Sequence, residues 1–598
     1  MSNEIVEGAV ASLGRGFDLT SDFRLKFCKG GKRLVQLNET EKRTLVIPGF
    51  GPVHNVPGDI RCDKGDRCRY QSDILEFSKM SEWFNQKSAV LGKIPSGLFN
   101  SMFEFQSNCW AHDAANIRYL GLDGYFIVLF NLHIDRYPLV LADEVLQAVP
   151  AAWDPSALAR FVEKYGTHVI VGLGVGGQDV VVVRQDRSSN LEPSDLKKHL
   201  DDLGDQLFTG ACALAPLHSR TKESKHHKTP QAFNLFDLQP IAFNDLPTCN
   251  SKDGITVISS KRGGDTKAES HCEWLLTVPS MPEAIHFSFI PITSLLKGVP
   301  GSGFLSHAIN LYLRYKPPLR DLQSFLEFQT HKLWAPMHND QPLGPTTNRA
   351  TSSPSLSFGL MGPKLQVNSS QVVVGKRPVT GMRFFLEGMK CNKLALHLQH
   401  LSNTPSMLES LVDDTPIWRG SEEVAVSDAY FEGIQGKKFS HVCVAHIEYL
   451  PPPPKDVAYI VTGAQLHVKK HDSKNVLHLR LRFSKVSRSF LASPTWDRGS
   501  EHSQKSGLLS AISTSLGGNS AAKEKSPAIH MDSSVYPTGP PVPVQTQKLL
   551  KFVDTSQRCK GPQDSPGHWL VTGAKLDLEK GKICVHVKFS LLYLITGI

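Results

Sequence analysis

Three copies of one pattern constrain what this chain can fold into more than any other feature. They are PVTGMRFFLEGMKCNKLALHLQHL (378–401), IVTGAQLHVKKHDSKNVLHLRLRF (460–483) and LVTGAKLDLEKGKICVHVKFSLL (570–592). Each opens on Val-Thr-Gly, with Thr380-Gly381, Thr462-Gly463 and Thr572-Gly573 as the shared signature. Each continues as a short strand, a polar turn and a second, strictly alternating strand. Leu394, Leu396 and Leu398 align with Leu477, Leu479 and Leu481, and with Ile583, Val585 and Val587. A period of two with one apolar face describes a half-buried antiparallel hairpin. Three such hairpins packing their apolar faces on a common axis predict an all-β domain with a β-prism-like architecture. The repeats lie about 80 and then about 110 residues apart, and the excess falls on a Ser/Gly/Pro/Lys-rich stretch near 500–545, read as a disordered insertion. PPPP at 451–454 is a stiff spacer or a peptide ligand.

The chain ahead of the repeats has a different texture. Residues 1–80 alternate short apolar runs with turn signals at Pro48-Gly49 and Pro57-Gly58. GYFIVLFNLHI (124–134) reads as a buried strand, and QDVVVVRQ (178–185), GITVISSKRGG (254–264) and AIHFSFIPI (284–292) as further strands. DPSALARFVEKYG (154–166) reads as a helix with Asp154 as N-cap, Pro155 at its start and Gly166 as its stop. GFLSHAINLYLRY (303–315) reads as a second helix, residues 82–116 as mixed and turn-rich, and 190–235 as helix followed by a polar loop.

YGTHVIVGLGVGGQ (165–178) carries five glycines. Gly172, Gly174 and Gly177 fit G-x-G-x-x-G, and Glu192 lies near the acidic position of a dinucleotide site. That site needs a helix to begin inside the glycines, because its N-terminal amides hold the pyrophosphate. The residues that follow are Gln178-Asp179-Val180-Val181-Val182-Val183, a poor helix and a good strand. The alternative is a strand kinked by its glycines.

Tyr165-Gly166-Thr167-His168, six further residues after Val169, and then Gly176-Gly177 resemble the signature of the membrane attack complex/perforin (MACPF) family, with Val169 where an aromatic is usual. The resemblance covers roughly residues 1–335. It implies an α+β fold with a kinked antiparallel sheet flanked by helical clusters, Gly263-Gly264 marking a second bend. The organisation expected is a MACPF domain over 1–335, a linker over 336–365 and the three-repeat β domain over 366–598. A MACPF domain followed by these repeats, together with VPGDIRCDKGDRCRYQSDILEFSKMSEWFN (56–85), resembles the plant group linked to control of cell death and immunity.

The resemblance implies two helical clusters, about 82–116 and 188–245, able to unfurl into membrane β-hairpins. In the first, Phe99, Ser101, Phe103, Phe105, Ser107 and Cys109 fall on one parity, which fits a latent strand or a short amphipathic element on a core. In the second, Pro216, Pro230 and Pro240 would interrupt a ladder. Membrane lipids, including an anionic inner leaflet, a homo-oligomer, and proteins bound through the β domain are the expected partners. The implied role is negative control of programmed cell death in the hypersensitive response and salicylic-acid-linked defence. A non-lytic interaction scaffold is the alternative.

No enzyme chemistry is expected. His168 is read as a buried histidine tying the helix end to the sheet, and no Ser-His-Asp or Cys-His set can be placed, with Cys212 and Cys272 unremarkable. No metal or cofactor is expected: Cys62 and Cys68 lack a second pair, and His218, His226 and His227 fall in a polar loop. No Asp-rich loop offers a calcium site, and hydroxyls in KVSRSF and KSGLLSAISTS are compatible with phosphorylation. A net charge of +9 suits an anionic surface, and nucleic acid is not an expected partner. No secretory leader or membrane-spanning run is read, so the chain is expected in the cytoplasm with reduced thiols, peripheral at the plasma membrane. The outward positions His478, Arg480, Arg482, His586 and Lys588 offer a partly basic face, either for docking on anionic lipid or simply for solvation.

Overall fold

Two strands of 18 and 19 residues, β1 (Ile117–Ile134) and β2 (His168–Asp186), pair antiparallel from Ile117 opposite Asp186 to His133 opposite Gly172. They are the spine of the first of two units into which the chain divides, Met1–Gln323 and Ser324–Ile598. This is a computed structural model, and it describes residues 2–105, 110–208, 248–250, 254–336, 354–358, 364–388, 391–413, 415–424, 428–434, 440–450, 453–472, 474–497, 549–560 and 569–595.

The free edge of β2 is covered by two strands in succession. β3 (Ile255–Arg262) pairs with Gln178–Gln185, and β4 (Glu283–Pro291) pairs with His168–Gly176. The free edge of β1 changes partner at the same level, from Arg67–Gln71 opposite Asp123–Ile127 to Ile60–Lys64 opposite Phe130–Ile134. A register shift between Val128 and Phe130 lies at that level too. The sheet therefore bends along a line through Gly176-Gly177, as a bulge and a change of partner allow.

The four consecutive valines Val180–Val183 are fully buried. Val180 and Val182 pack under Phe77, Met80, Phe84, Phe99 and Phe103 on one face, while Val181 and Val183 pack under Leu196, Leu200, Leu203 and Phe208 on the other. Both faces are covered, so the run is continuously apolar rather than alternating.

The helix Pro155–Tyr165 forms as its sequence dictates: the Asp154 side chain accepts from the Ser156 and Ala157 amides, and Gly166 ends it at φ 78°. Ser302–Tyr315 is helical as expected. Other helices were not foreseen, Ser2–Ser12 and His271–Thr277 among them. Ser2–Ser12 buries Val6, Ala9, Val10 and, just beyond it, Leu13 at helical spacing, where only short apolar runs were read. His271–Thr277 opens with a capping box between Ser270 and Glu273.

In the second unit the three repeats are hairpins: β5 (Val379–Glu387) with β6 (Lys393–Leu401), β7 (Val457–His471) with β8 (Lys474–Ser487), and β9 (Trp569–Glu579) with β10 (Lys582–Leu594). Each belongs to its own sheet. Leu394, Leu396 and Leu398, Leu477, Leu479 and Leu481, and Ile583, Val585 and Val587 meet in one core, none more than 3% exposed. This is the three-sheeted arrangement the repeats imply.

The boundary differs from expectation. The units divide after Gln323 rather than Ala335. Lys332–Ala335 pairs with β6, and Ser355–Ser357, inside the expected linker 336–365, pairs with Lys364–Val367 in the same sheet. Strands of three or four residues are too short to show a period, yet an open sheet edge recruits them. The expected insertion near 500–545 lies outside the described residues.

Candidate functional site

Four glycines converge where the sheet bends. A Cβ on Gly176 would stand 1.8 Å from the Ile127 carbonyl oxygen, and one on Gly177 2.9 Å from the Trp274 ring and from Val278. Gly263 and Gly264 take left-handed φ values of 66° and 65°, and a Cβ on Gly263 would stand 2.3 Å from the Gly176 oxygen. The fully buried Trp274 fills this space and donates its indole N–H to the Gly263 carbonyl at 2.7 Å. Gly176 supplies close backbone approach and Gly177 room for the Trp274 and Val278 side chains, neither at positive φ. Beside them the buried His271 Nδ1 lies 2.8 Å from Asp179 Oδ2. Cys272, read from the sequence as a reduced thiol, is disulfide-bonded; spacing along the chain does not reveal which thiols a fold brings together.

The first half of the signature fastens a helix end to the N-terminal segment. The Gly166 Cα lies close under Phe17, where a Cβ would meet the Phe17 oxygen at 2.5 Å. The Thr167 amide donates to the same carbonyl at 2.9 Å, and its hydroxyl oxygen accepts from the Leu19 amide at 3.3 Å. Tyr165 is buried against Phe161. His168 is buried, with Nδ1 3.0 Å from the Thr167 hydroxyl. Burial pushes its imidazole down to about 3, so it stays neutral. It braces its neighbouring threonine rather than bridging the helix to the sheet through both nitrogens.

The two helical segments occupy matching positions. One is the connection from Gln71 to β1, holding helices Phe77–Lys87, Gly97–Met102 and Trp110–Asn116. The other is the connection from β2 to β3, whose described part holds helix Pro193–Phe208. Each joins two neighbouring antiparallel strands, and because Ile117 and Ile255 pair with Asp186 and Gln185, both leave the same end of the sheet. They lie on its opposite faces. The Phe99, Phe103 and Phe105 rings pack together with Phe77 in a core of helices and turn, so their shared parity is not strand alternation in this state. Ser107, Cys109, Pro216, Pro230, Pro240, His218, His226 and His227 lie outside the described residues.

A polar latch, unseen in the sequence, holds Pro193–Phe208 to the sheet. The Asp123 carboxylate, on β1, is fully buried and takes bonds from Arg69 Nε at 3.0 Å and Nη2 at 2.6 Å. Arg69 Nη1 reaches Asp205 on the helix at 2.6 Å, and Gln71 reaches both Asp123 and Asp201 at 3.2 and 3.3 Å. Paired carboxylates raise the Arg69 guanidinium's pKa further. Gly204 lets the helix approach, since a Cβ there would meet Asp123 Oδ2 at 1.9 Å.

The repeat signature also has one geometric role. In each hairpin the threonine is the extra residue of a bulge, between Val379 and Gly381, Val461 and Gly463, and Val571 and Gly573. Thr380 bonds to Gln399, Thr462 to Ser484 and Thr572 to Ser590. A Cβ on Gly381, Gly463 or Gly573 would stand 2.8–2.9 Å from the carbonyl of Arg558, Val372 or Ile447, each on a short strand completing the sheet.

The basic outer face is not free. His478 is buried against Ser421, Arg480 is paired with Glu422, and Arg482 donates to Gly375 and Thr462. His586 is buried beside Glu579, and Lys588 lies 2.6 Å from Glu448. Added segments cover the face with matching charge, and hairpin periodicity cannot foretell that.

Residues 6–322 match the family described as MAC/Perforin domain. A MACPF domain-containing protein of Arabidopsis thaliana is 57% identical over 99% of this chain and 98% of its own length. Two others from the same plant are NSL1, 46% identical over 100% of this chain and 98% of its own, and CAD1, 42% identical over 98% and 96%. Among the described residues, no helix is long and apolar enough to cross a membrane.

Proposed function

This chain belongs to the MAC/Perforin (MACPF) family, among the plant members that include NSL1 and CAD1, and from that premise we propose that it associates with membranes and oligomerises there by unfurling its two helical segments. The observation that carries this reading is their placement. Both are connections between neighbouring antiparallel strands, and both leave one end of the sheet. Unfurling would lengthen four adjacent strands without changing their register. Each connection exceeds the about 20 residues that a pair of membrane strands requires. The net charge of +9 favours anionic lipid, with the cytoplasmic side of the plasma membrane as the proposed location.

Its proposed biological role, drawn from resemblance to the plant group, is to restrain programmed cell death in immunity, and to do so without catalysis. Two assays test these readings separately. Electron microscopy and dye leakage with anionic liposomes should give arcs or rings; monomers that neither assemble nor leak vesicles refute the membrane reading. Lesion formation and salicylic acid levels in plants depleted of the protein should both rise; unchanged levels refute restraint. A second reading, a non-lytic scaffold, is favoured by the Arg69 latch on the buried Asp123 carboxylate, which resists release of the second segment.

A further inference from the structure

The third hairpin carries on its outer face a thiol beside a carboxylate and an imidazole, a set that neither of the other two completes. We propose that Glu579, Cys584 and His586, with Asp577 beside them, form a binding site for a divalent transition metal of the zinc type. Asp577 and Glu579 lie on β9, Cys584 and His586 on β10, and Asp577 stands directly opposite Cys584. His586 Nε2 is 3.6 Å from Cys584 Sγ, 3.0 Å from Glu579 Oε1 and 3.8 Å from Asp577 Oδ2. The donor atoms of Glu579, Cys584 and His586 lie within 4.8 Å of one another. A tetrahedral zinc with ordinary bond lengths places its sulfur and nitrogen ligands about 3.5 Å apart.

The histidine is oriented as a ligand. Its Nδ1–H donates to the Asp497 carbonyl at 2.8 Å, which leaves Nε2 as the atom facing Glu579. Nε2 and Glu579 Oε1 stand 3.0 Å apart, where one metal ion can bridge them. The thiol and second carboxylate beside them favour the metal, since thiolate with imidazole selects zinc over magnesium or calcium. Cys584 and His586 are buried, while Glu579 is 42% exposed at its side chain and opens the site to solvent. Asp577 is paired with Lys575 at 2.6 Å and flanks the site, and the thiol proton leaves on binding.

The repeat supplies an internal comparison. Counting from the signature glycines, the first hairpin has Phe385, Glu387, Ala395 and His397 at the four places, and the second has His467, Lys469, His478 and Arg480. Both fold around the same core. The first hairpin keeps the Glu–His pair but has alanine in place of the thiol, so the hairpin fold itself has no need of Cys584.

Chelator-treated full-length protein titrated with Co²⁺ and then Zn²⁺ tests the proposal. One Co²⁺ per chain should bind with tetrahedral d–d absorption and a thiolate-to-cobalt charge-transfer band. Zn²⁺ should displace it and raise Tm. Cys584→Ala should remove the band, whereas Cys68→Ala, at an exposed thiol, should keep it. Glu579→Gln, at a half-exposed position that does not threaten folding, should weaken Zn²⁺ binding at least about tenfold. No stoichiometric uptake, a band that survives Cys584→Ala, or unchanged affinity in Glu579→Gln would each overturn the site.

Discussion

At the residue scale, glycines that look alike in sequence carry different loads. Gly176→Ala drives a Cβ into the Ile127 backbone, which cannot yield, and is expected to cost about 3 kcal/mol. Gly172→Ala meets nothing closer than the Ser288 side chain at 3.2 Å and should stay within about 1 kcal/mol of wild type by urea unfolding. Equal losses would remove the special status of the bend. His168 supplies a pH test. Its folded pKa is pushed down to about 3 by burial, against about 6.5 unfolded. Below pH 6.5 the unfolded chain takes up a proton that the folded chain refuses, so stability present above 6.5 is lost as pH falls toward 3. His168→Gln should therefore flatten the decline in unfolding free energy between pH 6 and 4, by up to about 1.4 kcal/mol per pH unit. An unchanged slope would mean His168 titrates freely. The signature residues were legible because their spacing is local. Trp274, His271 and Asp179 were not, because they meet across the fold.

At the scale of elements, the strands and the capped helix Pro155–Tyr165 could be read from the chain, since their signals lie within a dozen residues. Ser2–Ser12 had an equally local signal in Val6, Ala9, Val10 and Leu13, hidden by reading short apolar runs rather than a period. The Arg69–Asp123–Asp205 latch had no local signal. Arg69→Gln strands the buried Asp123 carboxylate and should destabilise its surroundings by about 3–5 kcal/mol. Hydrogen exchange over Pro193–Phe208 should then speed up more than exchange over Pro155–Tyr165. The double variant Arg69→Gln/Asp123→Asn should recover part of the loss. Uniform acceleration across both helices would show that the latch does not specifically hold the second segment.

For the whole molecule, the three-hairpin core predicts that residues 324–598 fold alone with one cooperative transition, and an aggregated fragment would contradict that. Because Arg480 and Lys588 are already paired, this fragment should show no salt-sensitive binding to anionic vesicles. Any such binding would return the outer face to a docking role. The unfurling of the two helical segments is tested most directly by hydrogen-exchange mass spectrometry of the full chain, free and bound to anionic liposomes. The expected result is that Phe77–Lys87, Gly97–Met102 and Pro193–Phe208 change protection on the vesicles while β5–β10 do not. Vesicle-bound protein in which those helices keep their solution protection would contradict it.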